Sequence, residues 1–353
     1  MLSIIKINEK EKWNEIVRSF DNYDIYYLSN YVEAFQLHGD GEPLLFYFEH
    51  NNMKAINVVM KRDISKDNRF IDTLPSNTFF DLATPYGFGG FLLEGNISEE
   101  NINVLDEVYN AICQKEGIIS EVVRFHPVLR NYESLNQMYD ISSLSKTITI
   151  EMDSIEQVQK NIAKSNKYKI RKSKKSGVEI YSDWNYNLME EFITLYISTM
   201  KNNDATDYYF FNKDFYMNVL EELENHANIF YATYENRKIA MAIILRSNNQ
   251  LHYHLSALDR DFGHLRPMNL LIYEAACWGH EQGYNTFHLG GGLGSREDSL
   301  YEFKRSFNQN SSTVFKLGKK VFLKDEYEQL LDIRKNKFSQ QELKKNYFPE
   351  YRS

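Results

Sequence analysis

Seven basic side chains lie close together in the segment AKSNKYKIRKSKKSG at residues 163–177. No acidic residue interrupts the run, which consists of Lys164, Lys167, Lys169, Arg171, Lys172, Lys174 and Lys175. On a helix, Lys164, Lys167, Arg171 and Lys174 follow spacings of three and four, so they share one face. Such a face can present cationic groups to a polyphosphate or to an RNA backbone. The alternative is a solvated helix face that ends at Gly177.

A glycine-rich loop follows directly after an extended segment that ends at His288. Glycines allow main-chain N–H groups to point into a site, and loops at the carboxyl ends of strands commonly line ligand clefts. Gly290, Gly291 and Gly292 are therefore candidates for substrate binding, with a flexible turn as the alternative. The loop TPYGFGG at residues 84–90 has the same character and places Tyr86 in a constrained setting.

Lys304 lies in the segment LYEFKRSF, which predicts a short amphipathic helix. Leu300, Phe303 and Phe307 recur at spacings of three and four and would bury one face, so Lys304 stands at the margin of the apolar stripe. From there its ammonium could reach a neighbouring cavity and stabilise a developing oxyanion or a terminal phosphate of tRNA. The alternative is a lysine whose stem merely covers apolar surface.

Two histidines, His252 and His254, alternate on a predicted strand and should face one side of it. They could hold a metal ion if a third ligand stood near, but the sequence contains neither an HExxH motif nor a cysteine cluster. No metal site is therefore predicted. The spacings of a Ser-His-Asp triad or of a Walker-type phosphate loop are also missing from the sequence.

The elements that must position these residues follow one plan twice. LLFYFEH and KAINVVMKR, joined by Asn51 and Asn52, predict a β-hairpin, and IFYATYENRKIAMAIILR repeats it when Phe46 is placed on Phe230. After each hairpin we expect a strand, a long helix ended by a glycine, and a further strand. We therefore expect an α+β or α/β fold of two tandem domains, each a mixed β-sheet flanked by helices.

A length of 353 residues exceeds what one hydrophobic core usually organises, and the boundary is predicted near residue 150. The domains are then 1–150 and 151–353, with the C-terminal helix KDEYEQLLDIRKNKF a candidate to pack back on the first. No segment approaches the ~20 apolar residues of a membrane span. With two cysteines, Cys113 and Cys277, and a net charge of −8, we expect a cytoplasmic protein that is not coated wholesale by nucleic acid.

Together these segments resemble the FemABX family of aminoacyl-tRNA-dependent transferases, over nearly the whole chain. The motifs that carry the resemblance are TPYGFGG at 84–90, VRFHP at 123–127, NKYKIRKSKKSGVEI at 166–180, FHLGGG at 287–292 and LYEFKRSF at 300–307. The resemblance implies two domains of the GNAT (N-acetyltransferase-like) kind with a cleft between them. It also implies aminoacyl-tRNA as donor and a nucleotide-linked or lipid-linked sugar-peptide, bearing phosphate, as amine acceptor.

On the same resemblance, Lys304 matches a lysine of the catalytic cleft. The implied substrate-binding residues, besides the glycine loop, are Tyr86, Arg124, His126, Lys167, Lys169 and Arg171. Two departures stand out. No long heptad-rich helical arm occurs between residues 185 and 226, and the segment RDFGHLRPM keeps Arg260 and Gly263 of a coenzyme A loop but has Leu265 where glycine or alanine belongs. The second departure disfavours coenzyme A.

Transfer of an acyl group to an amine needs two aligned reactants, an oxyanion stabiliser and a proton acceptor, but neither a covalent intermediate nor a tightly bound cofactor. Asp259 and His254 are candidates for the proton acceptor. The leading interpretation is an aminoacyltransferase that uses aminoacyl-tRNA. The alternatives are an N-acyltransferase that uses acyl-coenzyme A, and a non-catalytic relative that binds an envelope precursor or RNA.

Overall fold

A computed structural model of the chain describes residues 1–338, 343 and 347–353. These residues form two compact units, each built on a mixed β-sheet flanked by helices, as the sequence predicts. Unit 1 consists of Met1–Leu144 and Phe315–Ser353, and unit 2 of Ser145–Val314. Among the described residues, no helix is both long enough and apolar enough to cross a membrane.

The described part of unit 1 contains eight strands and four α-helices. The strands are β1 Leu2–Lys6, β2 Glu42–His50, β3 Met53–Asp63, β4 Phe80–Ala83, β5 Leu92–Gly95, β6 Ile118–Arg124, β7 Asp140–Lys146 and β14 Val314–Val321. The helices are α1 Lys10–Arg18, α2 Ser29–His38, α3 Glu99–Lys115 and α10 Lys324–Lys337. The strand order is β1-β2-β3-β4-β6-β14-β7, with β5 paired to β3.

Unit 2 contains six strands and six helices. The strands are β8 Ile148–Glu151, β9 Glu179–Asp183, β10 Ala227–Tyr234, β11 Arg237–Ser247, β12 Gln250–Leu258 and β13 Thr286–Gly290. The helices are α4 Ile155–Asn161, α5 Lys164–Lys175, α6 Tyr186–Asn202, α7 Lys213–Glu222, α8 Pro267–Glu281 and α9 Ser299–Arg305. The strand order is β8-β13-β12-β11-β10-β9.

The internal repeat predicted from the two hairpins is confirmed. The displacement that places Phe46 on Phe230 also carries β3 residue for residue onto β11. In each unit the hairpin is followed by an antiparallel strand, a long helix and a strand parallel to the one before it, namely β4, α3 and β6 in unit 1 and β12, α8 and β13 in unit 2. The last of these pairs antiparallel with a strand from elsewhere in the chain, β14 in unit 1 and β8 in unit 2.

The two units differ from the predicted domains 1–150 and 151–353, because residues 315–353 belong with the first unit. The cause is strand pairing and burial. β14 pairs with β6 in the first sheet, and Tyr327 and Leu330 of α10 enter a core with Ile64 and Ile119. The candidate packing of the C-terminal helix on the first unit is thus what the structure shows.

Local signals mostly mark the element ends correctly. Ser154 accepts a hydrogen bond from the Gln157 N–H at 3.0 Å and caps α4, as its spacing predicts. Gly117 and Gly283, just beyond α3 and α8, both have positive φ. The spacing of Asn8 and Glu11 is that of a capping box and predicts a helix that starts there. That prediction is wrong, because residues 7–9 form a turn of 3-10 helix and α1 begins at Lys10.

Candidate active site

The parallel strands β12 and β13 of unit 2 stay together for only three residue pairs, from Gln250 with Thr286 to His252 with His288. Beyond His252, β12 runs on to Leu258 while the chain turns away at the end of β13. A register shift against β11 makes His254 an extra, bulged residue just where the strands part. Main-chain groups on the β13 side of β12 beyond His252 are therefore outside the parallel ladder.

Lys304 reaches the end of β13 from α9. Its Nζ donates a hydrogen bond to the Gly291 carbonyl oxygen at 2.7 Å, and Gly290 turns the chain with φ +77°. The side chain is buried, with 9% of the residue exposed. Burial lowers the pKa of Lys304 from 10.5 to about 8, against the opposing charge of Asp298. An ammonium with few water contacts thus lies beside the glycine loop.

Three histidines, His252, His254 and His288, lie where β12 and β13 part. The His288 Nδ1 lies 2.9 Å from the Thr149 Oγ1 of β8, and the rings of His252 and His288 are 6.1 Å apart. Burial, with a smaller contribution from His252, lowers the pKa of His254 to about 3. His254 is therefore a neutral imidazole near pH 7. The bulge interrupts the strict alternation that the sequence predicts for His252 and His254.

Asp259, the other predicted proton acceptor, is already engaged. Its carboxylate accepts a hydrogen bond from Arg237 at 2.6 Å and another from the Asp261 N–H at 3.1 Å. These bonds fix the turn at the end of β12.

The basic run forms α5, as predicted, but its cations lie on two flanks. Asn166, Ile170 and Ser173 are buried, and the Asn269 side chain of α8 donates to Asn166 at 2.8 Å. At 100° per residue, Lys167 and Arg171 fall on one side of this buried stripe and Lys169 on the other. Lys169 lines an open pocket of about 420 Å³ with α9 residues that include Ser299 and Arg305. The three predicted substrate-binding cations are therefore not one cluster.

Arg124 donates hydrogen bonds to the main chain of the TPYGFGG loop in unit 1. The Arg124 Nη2 donates to the carbonyl oxygens of Thr84 and Pro85, both at 2.7 Å. Tyr86 stacks on Phe35 with ring centroids 5.3 Å apart, and its carbonyl oxygen accepts a bond from the Tyr31 hydroxyl. Arg124 thus orders the loop through the main chain of Thr84 and Pro85, and its contact with substrate stays a prediction.

His126 is fully buried in unit 1. Its Nε2 lies 2.8 Å from the Asp24 Oδ2, and its Nδ1 accepts a bond from the Leu129 N–H at 3.1 Å. Accepting at Nδ1 leaves Nε2 as the protonated nitrogen that donates to Asp24. Substrate binding by His126 stays a prediction, and both of its ring nitrogens have partners within the same unit.

Asp298 is a residue of this region that the sequence interpretation missed. It caps α9, the helix of Lys304, and its side chain also contacts the glycine loop. Asp298 lies two residues before the amphipathic segment LYEFKRSF, where an Asp is an N-cap signal, and this signal could have identified it.

The segment before α8 has little capacity to cradle a pyrophosphate. Residues Arg260–Leu265 form a 3-10 helix in which the Leu265 side chain is buried. Arg266 has positive φ and Pro267 opens α8, so the first helical position has no N–H to offer. The Arg260 guanidinium bonds to Asn202 and Asn203 at the end of α6.

Comparisons with known proteins bear on the fold and on this region. Residues 160–305 match the family described as Acetyltransferase (GNAT) domain. The structure of FemX superposes with a TM-score of 0.65 at 12% sequence identity, covering 93% of this chain and 99% of that one. No curated protein sequence matches the chain.

Two further solved structures share the fold. They are the C-terminal domain of a candidate lysylphosphatidylglycerol synthetase from Agrobacterium fabrum and L-PGS from Bacillus licheniformis. Each has a TM-score of 0.55 and 13% identity, and each comparison covers 88% of this chain and 91% of the other. The chain thus shares the fold of FemX, and its residues 160–305 match the GNAT-type acetyltransferase domain family.

Proposed function

We propose that the chain is an aminoacyltransferase that moves an aminoacyl group from aminoacyl-tRNA to an amine, with Lys304 as the oxyanion-stabilising residue. The coarser assignment, an acyltransferase, is supported by the GNAT domain match. The observation that carries the finer one is the buried ammonium of Lys304, bonded to Gly291 at the end of the split strands.

In the proposed reaction, the acceptor amine attacks the ester carbonyl that links the amino acid to the tRNA ribose. A C–N bond forms, the ester C–O bond breaks, the amine gives up a proton and the ribose hydroxyl takes one. The negative charge on the tetrahedral carbonyl oxygen is stabilised by the Lys304 ammonium and by main-chain N–H groups of β12 near the His254 bulge. The neutral imidazole of His254 accepts the amine proton.

Two features support tRNA as the donor. The cations on both flanks of α5 can follow a phosphodiester backbone, whereas a single pyrophosphate would need only one cluster. The segment Arg260–Leu265 and the Pro267 at the start of α8 leave few main-chain donors for coenzyme A. Donor binding by this chain should accordingly depend strongly on salt.

The acceptor belongs to the same proposal. The resemblance to the FemABX family implies a nucleotide-linked or lipid-linked sugar-peptide as the acceptor. One structural neighbour is named for the synthesis of lysylphosphatidylglycerol, a lipid that carries a lysyl group. Both bear phosphate, but phosphatidylglycerol offers hydroxyls and no amine. A panel should therefore contain a uridine-diphosphate-linked sugar-pentapeptide with a free lysine amine as the acceptor, and vesicles that contain phosphatidylglycerol as a control without an amine.

The test is a transfer assay with bulk bacterial tRNA charged with a mixture of radiolabelled amino acids. We expect label to move from tRNA to the acceptor of the panel, and the movement to be lost in Lys304→Ala. Failure to bind charged tRNA at low salt, measured by filter binding, would contradict the proposal.

The second candidate is an acyl-coenzyme A-dependent N-acyltransferase, which the match to an acetyltransferase domain favours. Calorimetric titration with acetyl-coenzyme A separates the two. Micromolar affinity with a large enthalpy would support this candidate and would count against the interpretation of Arg260–Leu265 given above.

A further inference from the structure

Asp298 joins the two segments that meet at Lys304. One carboxylate oxygen, Oδ1, accepts a hydrogen bond from the Tyr301 N–H at 2.9 Å and so caps α9. The other, Oδ2, accepts a bond from the Leu293 N–H at 3.0 Å in the loop that follows Gly292. A single side chain therefore fixes the start of the helix and the course of the loop.

The loop is shaped to let this carboxylate approach. A Cβ atom on Gly292 would lie 2.4 Å from the Asp298 Oδ1 and 2.0 Å from the Arg296 carbonyl oxygen, both far inside van der Waals contact. Only glycine fits there. The close approach requires a residue without a side chain opposite Asp298, which gives Gly292 a role in geometry rather than in direct substrate contact.

The position of the Lys304 ammonium depends on α9 and on the glycine loop, the two segments that Asp298 connects. Its Cα position is set by α9, and its hydrogen-bond acceptor, the Gly291 carbonyl oxygen, belongs to the loop. Releasing either segment would change the distance or the direction of this bond. An error of about 1 Å in the position of a catalytic group can cost a factor of about 10² in rate.

We propose that Asp298 is a positioning residue that holds α9 and the glycine loop in register, so that the Lys304 ammonium points at the reacting carbonyl. The inference rests on the proposed function of Lys304. It adds a residue that touches no substrate and that acts through two hydrogen bonds of its own.

Two substitutions separate the bonds of Asp298. Asp298→Asn keeps an oxygen that can cap α9, but its amide nitrogen cannot accept the Leu293 N–H. Asp298→Ser also caps a helix well and has no second acceptor for the loop. The matched control is Ser154→Ala, which removes the cap of α4, another short helix of unit 2.

The first measurement needs no substrate. Trace acetylation with acetic anhydride and mass spectrometry gives the reactivity of Lys304 relative to the exposed Lys160 and Lys201 of the same molecule. In Asp298→Asn and Asp298→Ser we expect Lys304 to react faster by about tenfold, the factor that corresponds to loss of one charge-assisted hydrogen bond. Ser154→Ala should leave the ratio unchanged, because global loosening would raise all lysines together.

The second measurement is single-turnover transfer with charged bulk tRNA. We expect the single-turnover rate constant to fall by about 10² in both Asp298 variants. The concentration of charged tRNA that gives half of the maximal rate should hardly change, since donor binding is not altered. Wild-type Lys304 reactivity in both variants would overturn the positioning role. If Lys304→Ala itself transfers normally, the proposed function fails instead, and the labelling result still decides whether Asp298 positions Lys304.

Discussion

The Lys304 Nζ lies 2.7 Å from the Gly291 carbonyl oxygen, and this bond brings a buried cation to the end of a strand that has just parted from its parallel neighbour. Its neighbour in sequence, Arg305, points outward and pairs with Glu302 at 3.2 Å. Lys304 thus faces inward and Arg305 outward, and Arg305 can serve as the matched control for substitutions of Lys304.

Replacing Lys304 by alanine should lower single-turnover transfer by about 10² or more, the usual effect of removing one oxyanion-stabilising group. Lys304→Arg should lose most of the rate as well, because a planar guanidinium does not fit the site of a compact ammonium. Arg305→Ala should keep a rate near that of the wild type. Melting temperatures measured in parallel show whether any loss reflects folding, and normal transfer by both Lys304 variants would contradict the assignment.

The pH profile follows from the lowered pKa of Lys304. Because the ammonium form is required, the transfer rate should fall as pH rises through about 8. The contribution of this group to stability changes in the opposite sense. Its folded pKa of about 8 lies below the unfolded value of 10.5, so the unfolded state binds more protons between these values and stability gains with rising pH. A rate that stays flat to pH 9.5 would be inconsistent with the role.

His254 and Asp259 can be separated by substitution. His254→Ala should lower the rate by about 10² or more, as for a general base, whereas Asp259→Asn should change it little because that carboxylate serves the turn through Arg237. Since the pKa of His254 is about 3, no acid limb from this group should appear between pH 5 and 7. The opposite ranking of the two variants would transfer the proton-accepting role to Asp259.

The cations on each flank of α5 should contribute separately to tRNA binding. We expect Lys167→Ala with Arg171→Ala to weaken binding and to reduce the salt slope by roughly 0.7–0.9 for each phosphate that is no longer neutralised. Lys169→Ala, measured alone, shows how much the pocket that Lys169 lines with α9 contributes to tRNA binding. The control is Lys201→Ala with Lys213→Ala, two exposed lysines on α6 and α7.

All of these charges are at least partly exposed, so melting temperatures should hardly change. An unchanged salt slope in the Lys167 and Arg171 double variant would leave α5 as a solvated helix.

Arg352 should matter for stability. Its Nε lies 2.5 Å from the Asp81 Oδ2, and the Asp81 carboxylate is fully buried beside Arg62 and the Tyr351 hydroxyl. Burial opposes ionisation of Asp81, but the two arginines hold its pKa below 3.8, so this stability is lost as pH falls through that lowered value. Arg352→Ala should cost roughly 3 kcal/mol in urea unfolding, because a buried carboxylate loses one of its cations. Arg352→Lys should recover part of the loss.

Local patterns in the sequence predicted much of the fold. Asn51 and Asn52 both have positive φ in a tight hairpin turn, and the strand, helix, strand order after each hairpin is as expected. What the patterns do not contain is which sheet a strand joins. VFKLGKKV has no strong alternation, and its partner strand β6 lies far away in the sequence, so the local pattern does not specify the pairing.

The candidate site was predictable where one element carried the signal. Lys304 is an example, because its position beside an apolar stripe fixes its direction. Arg124 and His126 are counterexamples, since their partners Thr84 and Asp24 lie far away in sequence and only the folded sheet brings them together. Sequence periodicity predicts which face of a helix or strand a residue occupies, but it does not predict the residue's hydrogen-bond partner.

The return of residues 315–353 to unit 1 makes unit 2 an insertion within another folding unit. During synthesis the sheet of unit 1 therefore cannot gain β14 until every residue of unit 2 has been translated. A nascent chain that stops before β14 would expose an unpaired edge of β6.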